Sequence, residues 1–363
     1  MSVNHPITPL RICLVASCRF PIGEPFTGGL ESMTWHLARE LIRRGHEVAV
    51  FAGPGSDPDL GVVELAVDNL PDHPGRLDVG APPLVEVAEH HAYLALMLEL
   101  AGQAGRSFDV LHNNSLHYLP VAMARVLPMP MLTTLHTPPL WWLESAVQLD
   151  AGASSFAAVS RFTADSWSPI TECTCVPNGV DVSRWPTGPG GTAAVWSGRL
   201  VAEKAPHDAI LAARGAELPI VLAGPVLDVD YFRSEVQPLL GAEAIYAGHL
   251  DQAELADLVG RSAVAVVTPA WDEPYGLVAA EALSCGTPVA AYARGGLPEV
   301  VTADTGRLAP ADEVDQLARA IRDAAGLERT HCREHAVSNL SLERMVDLYE
   351  DLYAGLLGSR LAA

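Results

Sequence analysis

The chain has 363 residues, a formal net charge of −21, 49% hydrophobic residues and 18% charged ones. This is the composition of a folded globular protein with room for two domains of ordinary size. The acidic excess excludes a nucleic-acid surface and argues against docking on an anionic membrane through a broad basic face.

Residues 11–17 are expected as a first strand, apolar enough to be buried on both faces as in a parallel sheet. The loop 18–27 carries Arg19 and Glu24, and Gly28-Gly29 opens a helix with Leu30, Met33, Leu37 and Leu41 at helical spacing, closed by Gly45. With a strand over 47–52 this makes a βαβ unit. The glycine pair is not G-x-G-x-x-G, so it fits either a nucleotide-binding turn or close packing at a tight turn. A short strand over 62–67, a proline-rich excursion over 70–83 with no assigned role, and a helix over 84–103 follow. Strands over 109–112, 129–137 and 155–160 end in the polar tips Asn113-Asn114-Ser115, His136-Thr137 and Ser160. His136 at such an end sits where open α/β sheets place ligands, although a lone histidine is as often structural.

Pro177-Asn178-Gly179 is a turn, and the Pro/Gly-rich stretch 186–191 marks a domain boundary. The alternation then restarts, with strands over 194–200, 219–223, 244–248, 263–267 and 288–292 and helices over 207–216, 230–240, 252–260, 317–325 and 342–357. Two successive doubly wound α/β domains are expected, over 1–186 and 187–343. Asp228-Val229-Asp230 reads as a helix cap and not a metal site, and His331 and His335 read as a solvated helix face. The six cysteines are too scattered for a disulfide framework, and Cys173 and Cys175 lack zinc-site spacing. The polar N-terminus is no secretory signal and no stretch approaches a membrane span, so a cytoplasmic enzyme is expected. The single lysine, Lys204, and the abundance of Gly and Pro match a high-GC bacterial genome.

The chemistry concentrates in the second half. Arg199 and Lys204 lie at or beyond the end of a strand, and they read either as a solvated surface pair or as donors to phosphate oxygens. Glu273 precedes a helix starting near Gly276, and Glu281 lies more than a turn inside it. A helix start suits an anionic phosphate, so a ligand with a central diphosphate and hydroxyls at both ends could use all three features.

Gly198-Arg199-Leu200 with Lys204, Glu273-Pro274-Tyr275-Gly276-Leu277 through Glu281, and Gly295-Gly296-Leu297-Pro298-Glu299 resemble the retaining glycosyltransferases of family 4. Gly28-Gly29-Leu30-Glu31, Thr134–Thr137, Val159–Phe162 and Pro177–Asp181 extend the resemblance over nearly the whole chain. It implies the GT-B fold, two Rossmann-like domains facing a cleft, with a C-terminal helix of about 344–363 packed back on the first domain. It implies that Arg199 and Lys204 hold the donor diphosphate and Glu273 the donor sugar. Gly198, Tyr275, Gly276, Leu277 and Val278 would line the donor, and Glu281 would bind the ribose. Gly28 and Gly29 would approach the phosphate from the other domain, and His136 would sit beside the reacting centre. Arg19 and Glu24 fall in the loop where acceptor choice varies. The implied reaction moves a hexose from a UDP-sugar, or next a GDP-sugar, to a small polar or natural-product acceptor, without a metal or other cofactor. A nucleotide-sugar 2-epimerase on the same scaffold is the alternative. Tyr275 departs from the phenylalanine often found in the family.

Overall fold

The computed structural model describes residues 8–65, 80 and 82–362. Most of the excursion expected over 70–83, and the end of the strand expected over 62–67, lie outside these residues.

The first sheet contains β1 (Arg11–Val15), β2 (Glu47–Ala52), β3 (Val63–Glu64), β4 (Val110–Asn113), β5 (Met131–Leu135), β6 (Ser154–Ala158) and β7 (Thr174–Cys175). They run parallel in the order β3-β2-β1-β4-β5-β6-β7. The second contains β8 (Ala194–Ser197), β9 (Ile220–Ala223), β10 (Ala244–Tyr246), β11 (Val264–Val267), β12 (Val289–Tyr292) and β13 (Gly306–Ala309), parallel in the order β10-β9-β8-β11-β12-β13. Continuous apolar runs such as Val264–Val267 are buried throughout because helices cover both faces of each sheet. In each sheet the strand order reverses beside the first strand, at β1/β4 and at β8/β11. A crevice opens at such a switch point, outside the carboxyl ends of the strands. The two doubly wound sheets are those expected from the alternation of apolar runs.

The helix Gly29–Arg43 lays Met33, Leu37 and Leu41 against Ile12 and Leu14 of β1. The last helix, Leu342–Ala362, joins the same apolar cluster through Leu342, Met345, Val346, Tyr349 and Tyr353. Its attachment to the first sheet is also polar. Tyr353 Oη lies 2.7 Å from His112 Nδ1, and Tyr349 Oη lies 3.0 Å from Thr134 Oγ1, all buried. His46 Nδ1 accepts from the Leu10 N–H, which leaves Nε2 to donate to Glu350 Oε1 at 2.9 Å. Burial pushes the His112 pKa down to about 3, so the ring stays neutral inside the sheet.

Three details differ from the expectations. The helix over 230–240 is broken into the short segments Val229–Tyr231, Phe232–Val236 and Gln237–Leu239, because Pro238 has no N–H to continue the ladder. β13 was not expected, since its four residues include Arg307. The helix Arg329–Asn339 carries His331 and His335, and His335 Nε2 meets the Val300 carbonyl at 3.1 Å. Asp228 is a cap, accepting from the Tyr231 N–H at 2.9 Å. Among the described residues, no helix is long and apolar enough to cross a membrane.

Candidate active site

A cleft of about 510 Å³ lies between the two sheets, lined by residues of both domains. Its floor on the second side is the loop after β11. Thr268 Oγ1 accepts from Trp196 Nε1 of β8 and donates to the carbonyls of Lys204 and Ala205. That hydroxyl staples the β8 loop, which carries Arg199 and Lys204, to the β11 loop, which carries Glu273. The Lys204 ammonium donates to Glu273 Oε2 at 2.5 Å and lies 5.1 Å from the Trp271 ring centroid. Both charges are half-buried, so the pair is a charge-assisted bond in a partly dry setting.

Two glycines close to this loop shape it by their lack of a side chain. Gly295 has φ +60, and a Cβ there would fall 2.0 Å from the Glu273 carbonyl oxygen. The next N–H, of Gly296, donates to that same oxygen at 2.7 Å. Gly276 has φ +98, a left-handed conformation, and its Cβ would strike Leu297 at 2.5 Å. The helix Leu277–Ser284 begins there. Ala279 and Ala280 donate back to the Gly276 carbonyl, so the N–H groups of Leu277 and Val278 precede the first helical bond and face the cleft. Glu281 stands one turn further in. It has no hydrogen-bond partner among the described residues, and burial pushes its pKa up to about 7.

The first domain closes the cleft from above. Gly28 and Gly29 sit at the start of the helix Gly29–Arg43. A Cβ on Gly29 would lie 3.0 Å from Leu277 Cδ1, and one on Gly28 would lie 4.0 Å from Arg199 Cδ. These glycines therefore let the two domains approach at the point where Arg199 and the second helix start meet. Arg199 itself pairs with Glu203 at 2.7 Å. Glu31, in the first turn of the same helix, is buried beside Arg199, and its pKa is raised by that burial.

His136 lies just past the end of β5 and lines the cleft. Its Nε2 is 2.9 Å from Asn114 Oδ1. Burial pushes its pKa down to about 3, so the imidazole is neutral at physiological pH and can hydrogen-bond without adding charge. Asn114, the tip of β4, is the partner that sequence reasoning left without a role.

A second set of contacts ties the domains together beside Glu273. Ser160 Oγ donates to the Pro274 carbonyl at 2.6 Å, with Thr163 Oγ1 at 3.3 Å from the same oxygen. The Glu299 carboxylate accepts the N–H groups of Arg161 and Phe162 at 2.9 and 2.7 Å. Across the cleft mouth, His249 Nε2 meets the Phe26 carbonyl at 3.1 Å.

The cleft thus gathers Arg19, Gly28, Gly29, His136, Gly198, Arg199, Lys204, Glu273, Tyr275, Gly276, Leu277, Val278 and Glu281. Glu24 is not among the lining residues. Its carboxylate pairs with Arg184, which stacks on Trp35 at 4.9 Å, so Glu24 anchors the loop 18–27 to the inter-domain linker. Arg19 lines the cleft but is held by both carboxylate oxygens of Glu89, at 2.8 and 3.1 Å. The Tyr275 ring is buried in the second domain's core, 3% exposed. Sequence reasoning missed Trp271, Trp196, Gln252 and His249, which also line the cleft. Among the described residues no group of three or more His, Cys, Asp and Glu side chains is placed to hold a metal ion.

Two family models match. "Glycosyltransferase Family 4" covers residues 27–184, and "Glycosyl transferases group 1" covers residues 186–337. A glycogen synthase from Mycobacterium tuberculosis is 29% identical over 342 residues, spanning 81% of this chain and 82% of the relative. A D-inositol 3-phosphate glycosyltransferase from Kineococcus radiotolerans is 28% identical over 361 residues, spanning 81% and 80%. Among solved structures, the sucrose-phosphate synthase of Thermosynechococcus elongatus superposes with a TM-score of 0.75 at 21% identity, over 96% of this chain and 100% of the other. Anabaena HepE, solved with UDP and glucose, superposes with a TM-score of 0.73 at 17% identity, over 95% and 99%. At these identities the structural likeness speaks for the fold alone.

Proposed function

Because the chain belongs to the family 4 glycosyltransferases of the GT-B fold, and so uses a nucleotide sugar, we propose that it transfers a hexose from a UDP-sugar to a small polar or natural-product acceptor with retention of configuration. One observation carries this reading. The Lys204 ammonium, Arg199 and the helix start at Gly276 and Leu277 share a single cleft with the Gly28-Gly29 helix start of the other domain. Two helix N-termini and two cations converging on one space suit a diphosphate.

The chemistry follows from where charge develops. As the bond from sugar C1 to the phosphate oxygen breaks, its electron pair stays on that oxygen, and Arg199 and Lys204 offset the new negative charge. Such fixed charges act at full strength because they need no reorganisation, and on this reading no metal is required. Glu273, oriented by Lys204, accepts from donor-sugar hydroxyls. Neutral His136, fixed by Asn114, hydrogen-bonds the sugar at the reacting face. The acceptor oxygen bonds to C1 on the face the phosphate leaves, and its proton passes to the departing phosphate oxygen. The acceptor enters from the first-domain side, past Arg19. UDP is favoured over GDP as the nucleotide, in the order that the family resemblance implies.

The test is a thermal-shift panel of UDP-, GDP-, ADP- and dTDP-sugars, followed by mass spectrometry of acceptor mixtures with the best donor. Stabilisation by a nucleotide sugar and a product heavier by one hexose are expected. Stabilisation by none of them would sink the reading. Incubation with donor alone separates the 2-epimerase alternative, which would yield an epimerised nucleotide sugar without acceptor.

A further inference from the structure

Among the described residues that line the cleft from the first domain, Arg19 and Glu31 are the charged ones. Glu31 is buried beside Arg199, which leaves Arg19 as the charge that an incoming acceptor meets.

Arg19 is held from the helix Leu84–Leu100. Glu89 and Tyr93 share one face of that helix, a turn apart, and both grip the loop after β1. The Tyr93 hydroxyl accepts from the Cys18 N–H and donates to the Ala16 carbonyl, each at 3.0 Å. Arg19 Nε and Nη2 donate to the two Glu89 oxygens at 2.8 and 3.1 Å. The Glu89 side chain is 13% exposed and the Arg19 side chain 57%, so the carboxylate is the fixed partner and the guanidinium reaches outward into the cleft. Glu86, a turn earlier on the helix, adds a second negative charge near Arg19.

This side-on pairing decides what Arg19 can hold. Nη1 is left over, and its N–H groups suit a hydroxyl or ether oxygen. A phosphate or carboxylate at Nη1 would also meet the Glu89 charge just behind the guanidinium. In a cleft partly shielded from water, that repulsion offsets the attraction of Arg19. His117, stacked between Tyr93 and Tyr118 with ring centroids 4.7 Å from each, adds no charge at neutral pH, because burial pushes its pKa down to about 4. Phe20 and Leu116 give the same wall an apolar character.

We propose that Glu89 sets the charge of the acceptor: by neutralising Arg19 it restricts transfer to an uncharged hydroxylated compound and turns away phosphate esters and carboxylates. This rests on the transfer reading above. Specificity of this kind comes from a repulsive charge placed against the wrong partner. Glu89 touches no substrate; it is a positioning residue that acts through Arg19, and Arg19 donates to an acceptor oxygen.

The test is calorimetric titration of inorganic phosphate, at fixed ionic strength, into the full chain saturated with UDP, which fills the diphosphate site. Glu89→Gln keeps the side-chain shape and removes the charge. It is expected to bind phosphate about tenfold more tightly than the wild type, and adding Arg19→Gln should abolish that gain. UDP affinity should be equal in the wild type and Glu89→Gln. Equal phosphate affinity in these two proteins, or a gain that survives Arg19→Gln, would overturn the proposal. A second arm needs no variant: the acceptor mixtures of the transfer assay contain sugars and polyols together with their phosphate esters. The wild type is expected to glycosylate the uncharged parent, and preference for an ester would overturn the proposal. Failure of the wild type to bind UDP would instead refute the nucleotide-sugar reading, and the phosphate titrations of the three proteins would still be compared without it.

Discussion

Glu281→Gln is predicted to stabilise the ligand-free protein and weaken nucleotide binding, both in a pH-dependent way. Burial raises the Glu281 pKa from 4.5 to about 7. Between these values the unfolded chain has released the proton and the folded chain still holds it. The folded state then binds more protons, so this group lowers stability as pH rises through that window. A rise of about 2.5 pH units at about 1.4 kcal/mol per unit sets an upper bound of about 3 kcal/mol, reached above pH 7 and absent below pH 4.5, which the partial exposure of Glu281 to the cleft reduces. Glutamine carries no charge to desolvate, so the variant escapes the whole cost. Its melting temperature is expected to match the wild type at pH 4.5 and to exceed it at pH 8 by on the order of 5 °C. UDP affinity runs the other way. Ionised Glu281 can accept from two ribose hydroxyls, so wild-type affinity should strengthen through pH 7 relative to the variant measured in the same buffers, which cancels the titration of UDP itself. The assays are differential scanning fluorimetry and calorimetric titration at four pH values. A melting difference independent of pH, or a variant less stable at pH 8, would refute the assigned burial of this carboxyl.

Lys204→Ala is expected to reduce transfer by about 10²–10³ through loss of a cation at the leaving group, and Lys204→Arg to restore little of it. Circular dichroism should show the fold intact in both; full transfer activity in the alanine variant would contradict the role. Ser160→Ala removes the cap of the helix Arg161–Trp167 and the hold on the Pro274 carbonyl. It should cost about 1 kcal/mol of stability and raise the donor KM several-fold with little change in kcat, with Ser160→Thr restoring stability and KM; an unchanged KM would show that Pro274 needs no anchor. Tyr353→Phe leaves His112 Nδ1 buried without its partner, and should destabilise by about 1–3 kcal/mol in urea unfolding. A variant as stable as the wild type would mean that the last helix docks by apolar contact alone.

The sheets were legible because buried parallel strands are continuous apolar runs, and Val264–Val267 needs no tertiary information to be read. That Lys204, Glu273, Gly276 and Glu281 belong together was legible through the family resemblance, which rests on short segments, and the structure brings these residues to one cleft. What escaped depends on pairs distant in the chain. Asn114 meets His136 across two strand ends, and Ser160 reaches Pro274 over 114 positions. Gly295-Gly296 stood out only as part of the family resemblance, and the structure adds a local reason for the pair, since the chain needs small residues there to pass the backbone of Glu273, Pro274 and Tyr275. Glu24 looked available to an acceptor, and only its approach to Arg184 withdraws it. Gln252 gave no signal at all, because a lone glutamine after a capping aspartate is ordinary until its burial is known.

The anomeric proton of the product reports directly on the proposed transfer from a nucleotide sugar with retention. In proton NMR of a reaction with UDP-glucose and the acceptor found by mass spectrometry, retention predicts the small coupling constant of an α-linked product, matching the α-linked donor. A large coupling constant, from a β-linked product, or conversion of the donor to its 2-epimer without acceptor, would contradict it.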